Sequence, residues 1–490
     1  MKKMGWVFCY FIICSTLNGY AAESGYYNVR RFGAKGDGST KDTQSLQKAI
    51  DACSRQNGGT VYFPPGRYLS GSLHLKSRVA LYLDHGAIIL ASPDDTDFDP
   101  YETLDFKNAA DRETSFFHFA LIWGEDVEHI AIIGTGEIDG NRSKRGGPKP
   151  IALKRCRHLT IRDITLRNAP NYNISLLGTD HVLIDGVKIF NGYSDGIDPD
   201  ACQFVQISNC FIESRDDAIV PKASFSLGVR RATEYLTVSN CILSTECNGF
   251  KLGTESGGDF KHIAVSNCVM RLRPDWHQPT TGISLESVDG SGLENIAITN
   301  VVMEQVFCPI FLRLGNRGRD QAVATPGYFK NVTLSNITAS KAQLACFFSG
   351  IPDHPLENVS LSDLNLTFTG GAGRELKDRA VPEKIAEYPS PDKFGDLPSY
   401  GIYGRHIKGL SLHQIRVSLW SDDLRSAFYG EDIEDLKLES FQAEHTSGAE
   451  PLLRLVNVRR ALIRGLGLGI PQDRVISWEP ANCNDVEVIK

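Results

Sequence analysis

From Thr60 onward the chain is built of short apolar and polar runs broken by Gly, Pro, Asn and Asp. Val61-Tyr62-Phe63, Tyr68-Leu69, Ser72-Leu73-His74-Leu75 and Ala80-Leu81-Tyr82-Leu83 have the length and spacing of strands rather than helices. Past Ile130-Ala131-Ile132-Ile133 one apolar phrase recurs, with its first apolar residue at Leu159, Val182, Val205, Leu236, Ile263, Ile296, Val332, Val359, Leu410 and Leu436. The spacing begins at 23 residues and lengthens where loops intervene, a period that belongs to a solenoid. Apolar β runs without helices between them predict parallel strands stacked in a coil, with rungs ~4.8 Å apart. The expected fold is therefore all-β, a right-handed parallel β-helix.

Two features refine that picture. Asn209, Asn240, Asn267, Asn300 and Asn336 each sit four residues after a phrase start. Asparagine tolerates a tight-turn backbone and its amide can bond to the turn above, so these residues are expected to pin the register. Over residues 44–53, Leu46, Ala49, Ile50 and Cys53 follow a helical 3–4 spacing that stops at Asn57-Gly58-Gly59. That single short helix is expected to cap the open end of the coil. Residues 274–281 and 370–399 interrupt the repeat, and the second segment, charged and Pro-containing, is expected beside a cleft.

At the N-terminus, Lys2 and Lys3 precede an apolar run over residues 5–17 and a small-residue site at Gly19-Tyr20-Ala21. This reads as a secretory signal over residues 1–22, leaving residues 23–490 as a single exported β-helix domain, periplasmic or extracellular. A monomer with no membrane attachment after cleavage is expected. The apolar content of 41% excludes disorder, and the net charge of −7 argues against a general nucleic-acid binder.

Of the twelve cysteines two lie in the signal, and the others show no CxxC or His/Cys spacing for zinc, so no metal is expected. Cys210, Cys241 and Cys268 follow the repeated asparagines and are expected as free buried thiols. A disulfide between Cys202 and Cys247, or between others, stays open.

Candidate chemistry concentrates in residues 193–256, in Ser194-Asp195-Gly196-Ile197-Asp198, Arg215-Asp216-Asp217-Ala218-Ile219 and Asn248-Gly249-Phe250-Lys251-Leu252-Gly253-Thr254-Glu255. Tyr172 and Asp195 lie thirteen residues beyond their phrase starts, Asp217 and Asn248 twelve. Successive coils therefore present Tyr172, Asp195, Asp216-Asp217 and Asn248 at nearly one angular position. Neighbouring carboxylates repel, which raises at least one pKa and leaves others ionised. Glycoside hydrolysis uses that division between an acid and a water-activating base. Calcium binding or plain surface decoration are the competing readings, and Asp195-Gly-Ile-Asp198 lacks a full calcium loop. In a regular strand Asp216 and Asp217 would face opposite ways; both line a cleft only if the chain bends there.

The order of these motifs, with Phe32-Gly33-Ala34-Lys35-Gly36-Asp37-Gly38 and Phe63-Pro64-Pro65-Gly66-Arg67-Tyr68 near the start, resembles glycoside hydrolase family 28, the polygalacturonases and rhamnogalacturonan hydrolases. The resemblance implies inverting hydrolysis of galacturonic-acid linkages in a pectic polysaccharide or its oligosaccharides, without metal or cofactor. It implies Asp216 as the general acid, with Asp195 and Asp217 holding and activating the water.

The family's Asn-Thr-Asp is Tyr193-Ser194-Asp195 here, its Gly-His-Gly is Cys247-Asn248-Gly249, and its Arg-Ile-Lys falls at Ser284-Leu285-Glu286. The usual histidine and both cations are thus replaced, which points toward a rhamnogalacturonan-type substrate. Tyr172, Lys222, Asn248 and Lys251 are the expected substrate contacts, with Glu255, Arg313 and His406 weaker candidates. Two alternatives remain. A lyase or epimerase on the same scaffold would give a calcium-dependent, ultraviolet-absorbing product, and a glycan-binding β-helix would release no reducing ends.

Overall fold

A computed structural model describes residues 25–466, 475–478 and 482–489; the signal expected over residues 1–22 lies outside them. The ten phrase starts form one unbroken stack. Leu159 pairs with Val182, then Val205, Leu236, Ile263, Ile296, Val332, Val359, Leu410 and Leu436, each in parallel register. The interior is a continuous apolar column from Tyr27 to Cys483. The fold is a parallel β-helix. Its helix, Thr43–Arg55, turns Leu46, Ala49, Ile50 and Cys53 onto the first rungs, as the spacing predicts.

The asparagine ladder is present over the first four of its five expected positions, and the fifth, Asn336, shares only the positive φ. Asn240 donates to Asn209 (3.3 Å), Asn267 to Asn240 (3.2 Å) and Asn300 to Asn267 (3.0 Å), all with φ between 55° and 57°. Removing one rung breaks two amide bonds and forces a side chain ill-suited to left-handed backbone. Asn267→Ala is therefore expected to cost about 1–2 kcal/mol, read by urea unfolding. Asn267→Gly, which accepts that backbone, loses less; an Ala variant as stable as wild type would remove the ladder's role.

A second ladder is readable in the same phase. The residue just before each phrase start also takes positive φ: His129, His158, His181, Phe204, Tyr235 and His262, followed by Asn295, Asn331 and Asn358. The six rings stack at 4.5–5.2 Å with planes within 10° of parallel. Ring-on-ring contact offsets the strain of the corner, and the asparagines continue it with amide bonds of 3.2 Å.

A further face of the coil carries the site. It begins with Leu73–His74, Ala120–Glu125, Lys149–Lys154, Ile174–Leu177 and Ile197–Asp200. Isolated bridges from Ile197 to Ile219 and from Ile219 to Phe250 carry it on to Asn248–Leu252, Thr281–Ser287 and Cys308–Leu314. One side points into the column. Loops including residues 99–118, 141–148, 315–327 and 370–399 gather over the other.

All ten described cysteines are free, including Cys202 and Cys247, so the disulfide left open from sequence is not formed.

Candidate active site

The corner leading into this sheet repeats on each turn. Backbone hydrogen bonds of 2.9 Å climb through it from Asn173 to Asp195, Gly196 to Asp217 and Ala218 to Asn248. Ile174 pairs with Ile197, Ile197 bridges to Ile219 and Ile219 to Phe250, so two residues earlier on each turn Tyr172, Asp195, Asp217 and Asn248 follow one another, as the count predicts. The phenol of Tyr172 reaches the site, accepting a 3.0 Å bond from Lys222. Residues 215 and 216 form a bend rather than a strand. The bend cancels the alternation that would separate Asp216 from Asp217, and ligand atoms of both carboxylates and of Cys247 lie within 4.8 Å of one another.

Asp195, Asp216 and Asp217 each have a separate cation. Lys222 Nζ donates to Asp195 (2.9 Å) and to Asp198 (2.8 Å), all three side chains almost fully buried. Lys251 Nζ donates to Asp217 (3.1 Å), and Asn248 binds the other oxygen of that carboxylate through its backbone N–H (3.2 Å) and its amide. Thr281 fixes the Asn248 amide by donating to its oxygen at 2.6 Å. Asp216 is paired with Arg145, whose Nη1 donates at 2.5 Å while its other side holds Glu113. The Asp216 side chain is 26% exposed, against 4% and 6% for Asp195 and Asp217. It is the carboxylate that the cleft presents to solvent.

The carboxylates divide chiefly through burial and neighbouring cations rather than through mutual repulsion, and in the resting site Asp195 is the raised one and Asp216 the lowered one. Burial, opposed by Lys222 and reinforced by Asp216, Asp217 and Asp198, pushes Asp195 well above the ordinary carboxylate range. Burial also raises Asp198 against the pull of Lys222. For Asp216 burial is outweighed by Arg145 and then Lys251, which hold it below that range. Burial disfavours both ammonium groups, but Asp195 and Asp198 keep Lys222 charged, and Asp217 does the same for Lys251.

Of the remaining expected contacts, Glu255 is buried and receives Arg319 at 3.3 Å; Lys222, Arg317 and Lys251 overcome its burial and keep it ionised. Arg313 is placed elsewhere. Its guanidinium is buried against Ser349 and the carbonyls of Gly350, Glu383 and Lys384, where it fastens the 370–399 segment to the sheet. His406 is likewise held between Asp432 and Glu383. Both make structural contacts, because the insertion folds down over their rungs.

Five participants stand outside the expected set of catalytic and substrate-contact residues. They are Asp198, Asn173, Arg145, Lys149 and Tyr388. Lys149 is buried with its Nζ bonded to Ser175 (3.0 Å) and over the Phe117 ring, and burial lowers its ammonium to about 7. Tyr388 brings the insertion to the site through a 3.2 Å bond from Lys251. At the position where the resemblance implies a cation, Glu286 accepts from Ser284 at 2.6 Å; burial pushes it up to about 7, and its Oε2 has no partner.

Comparison with known proteins identifies the family. The family described as "Rhamnogalacturonase A/epimerase, pectate lyase-like" matches residues 26–94, and "Glycosyl hydrolases family 28" matches residues 103–385. A probable polygalacturonase of Vitis vinifera is 24% identical over 76% of this chain and 80% of its own length. An exo-poly-alpha-D-galacturonosidase of Dickeya chrysanthemi is 24% identical over 78% of this chain and 74% of its own. Among solved structures, a hyperthermoactive exopolygalacturonase from Thermotoga maritima superposes with a TM-score of 0.61 at 22% identity, covering 70% of this chain and 87% of that one. With more than half of its length matched by one family, this chain is a glycosidase that belongs to the glycosyl hydrolases of family 28.

Proposed function

We propose that the chain hydrolyses, with inversion, a galacturonic-acid linkage in a pectic polysaccharide or its oligosaccharides. Asp216 is the general acid, and Asp195 with Asp217 holds and activates the attacking water. The observation that carries this reading is the stack of these three carboxylates at one corner, each with a separate cation and only Asp216 substantially open to the cleft. Such an arrangement gathers several carboxyl groups in one cleft, as cleavage by an acid and a water-activating base requires. The galacturonan-directed names of the relatives support the substrate class.

Lys222, Lys251 and Asn248 act in this reading chiefly by holding the carboxylates. The Tyr172 ring lies against Lys222, with Nζ 4.1 Å from its centroid, so its aromatic face is engaged by the protein. Glu286, standing where a cation would grip a uronate, supports a neutral sugar such as rhamnose at one side of the bond. Loops meet above the sheet where Ala109 donates to Asp320 (2.8 Å) and Tyr388 bonds Lys251, which supports attack near a chain end. Residues 23–490 are read as one exported, monomeric domain behind a signal over residues 1–22; among the described residues no helix is long and apolar enough to cross a membrane.

The test is product analysis on homogalacturonan and rhamnogalacturonan oligosaccharides. New saturated reducing ends from either are expected, whereas unsaturated ultraviolet-absorbing ends or no cleavage of any substrate would refute the reading.

A further inference from the structure

Of the three cations on the carboxylate cluster, Arg145 alone is half exposed; Lys222 and Lys251 are buried. It sits at the free apex of the loop over residues 141–148. Before it, Arg142 is anchored to Ser92 and Asp95; after it, Gly146 donates to the Pro170 carbonyl (2.8 Å) and Asn171 donates to Gly147 (3.0 Å). Ser143 and Lys144 between those anchors are exposed.

The guanidinium bridges Glu113, in the single helical turn Arg112–Ser115, and Asp216, in the bend at the corner. A carboxyl group that delivers a proton must first carry one, and a guanidinium at 2.5 Å favours the ionised form. The Asp216–Arg145 pair is therefore a resting arrangement that has to open before Asp216 can donate.

We propose that Arg145 is the contact for a uronate carboxylate of the substrate, and that it exchanges Asp216 for that carboxylate as the sugar binds. An acidic sugar thus takes over the guanidinium, and the released Asp216 takes a proton from solvent. Arg145 in this role reads the substrate's charge and positions the acid; it does not itself transfer a proton. The exchange rests on the reading of Asp216 as the acid and of an acidic pectic substrate.

Calorimetry separates the two claims without needing turnover. In Asp216→Asn the guanidinium has already lost its competing carboxylate. The variant is expected to bind a galacturonate trisaccharide several-fold more tightly than wild type, and a methyl-esterified trisaccharide no more tightly. Adding Arg145→Gln should weaken binding of the free acid on the order of tenfold and leave the ester unaffected.

Kinetics give a second readout. The groups facing Asp216 are Arg145, Lys251, Lys222, Asp195, Asp217 and Cys247. Arg145→Gln removes the cation with the largest influence, so the alkaline limb of kcat/KM should move to higher pH. KM should rise for free-acid substrates alone, with Arg145→Lys intermediate. Binding that ignores the carboxylate, or an unmoved pH limb with equal KM changes on acid and ester, overturns the exchange while leaving hydrolysis standing. Failure of wild type and Asp216→Asn alike to bind the acidic trisaccharide overturns both.

Discussion

Asp216→Asn should lower the hydrolytic rate by about three orders of magnitude while leaving the thermal transition nearly unchanged. General-acid catalysis contributes about 10²–10⁴ in rate, and an amide of the same shape cannot supply the proton. The fold loses little, because Asp216 lies in a bend at the mouth of the cleft and its ion pair is with a half-exposed arginine. Pairs of that exposure are worth about 0–1 kcal/mol. Reducing-end release and a circular-dichroism melt measure the two halves. Activity within a few-fold of wild type would remove Asp216 from the chemistry, and collapse of the fold would show that the residue is structural.

Lys222→Met should have the opposite balance, with a large loss of stability. The methionine fills most of the volume but leaves Asp195 and Asp198 facing one another with no cation, all at about 4% exposure or less. Breaking a buried pair by deleting one partner costs about 3–5 kcal/mol.

The pH dependence fixes the cause. Both carboxyls already lie above their ordinary range and rise further without the ammonium. Groups with a raised folded-state pKa contribute stability at low pH and lose it as pH climbs through that pKa. The deficit of the variant should therefore be greatest at neutral pH and shrink as the solution is acidified toward the ordinary carboxylate range. Urea unfolding at several pH values measures it. A deficit independent of pH would mean that lost packing around Tyr172, not uncompensated charge, is responsible.

The coil was legible in the sequence because its determinants are periodic. Leu159 through Leu436 stack in the order their phase requires, and the asparagines at positive φ bond from rung to rung. The aromatic ladder from His129 to His262 occupies the position one residue earlier and could have been read by the same count. Asp195, Asp217 and Asn248 were reachable for the same reason, since they share a corner.

What phase could not reach are partners delivered by loops. Arg145 meets Asp216 from 71 residues away, and Tyr388 meets Lys251 across 137 residues. Neither loop has a length set by the repeat. Arg313 shows the converse: its rung is periodic, but the 370–399 insertion covers it and turns a plausible substrate contact into a fastening. Lys222 was picked out as a cation near the cleft, and only its burial between Asp195 and Asp198 identifies what it neutralises.

Inversion by water held by Asp195 and Asp217, with Asp216 as the acid, is the claim on which the functional account turns. Proton NMR of the first product formed from an α-linked galacturonan oligosaccharide tests it directly. The newly made reducing end should appear first as the β-anomer and then mutarotate, with no unsaturated uronate signal. An α-anomer formed first, or an unsaturated end, would contradict the account.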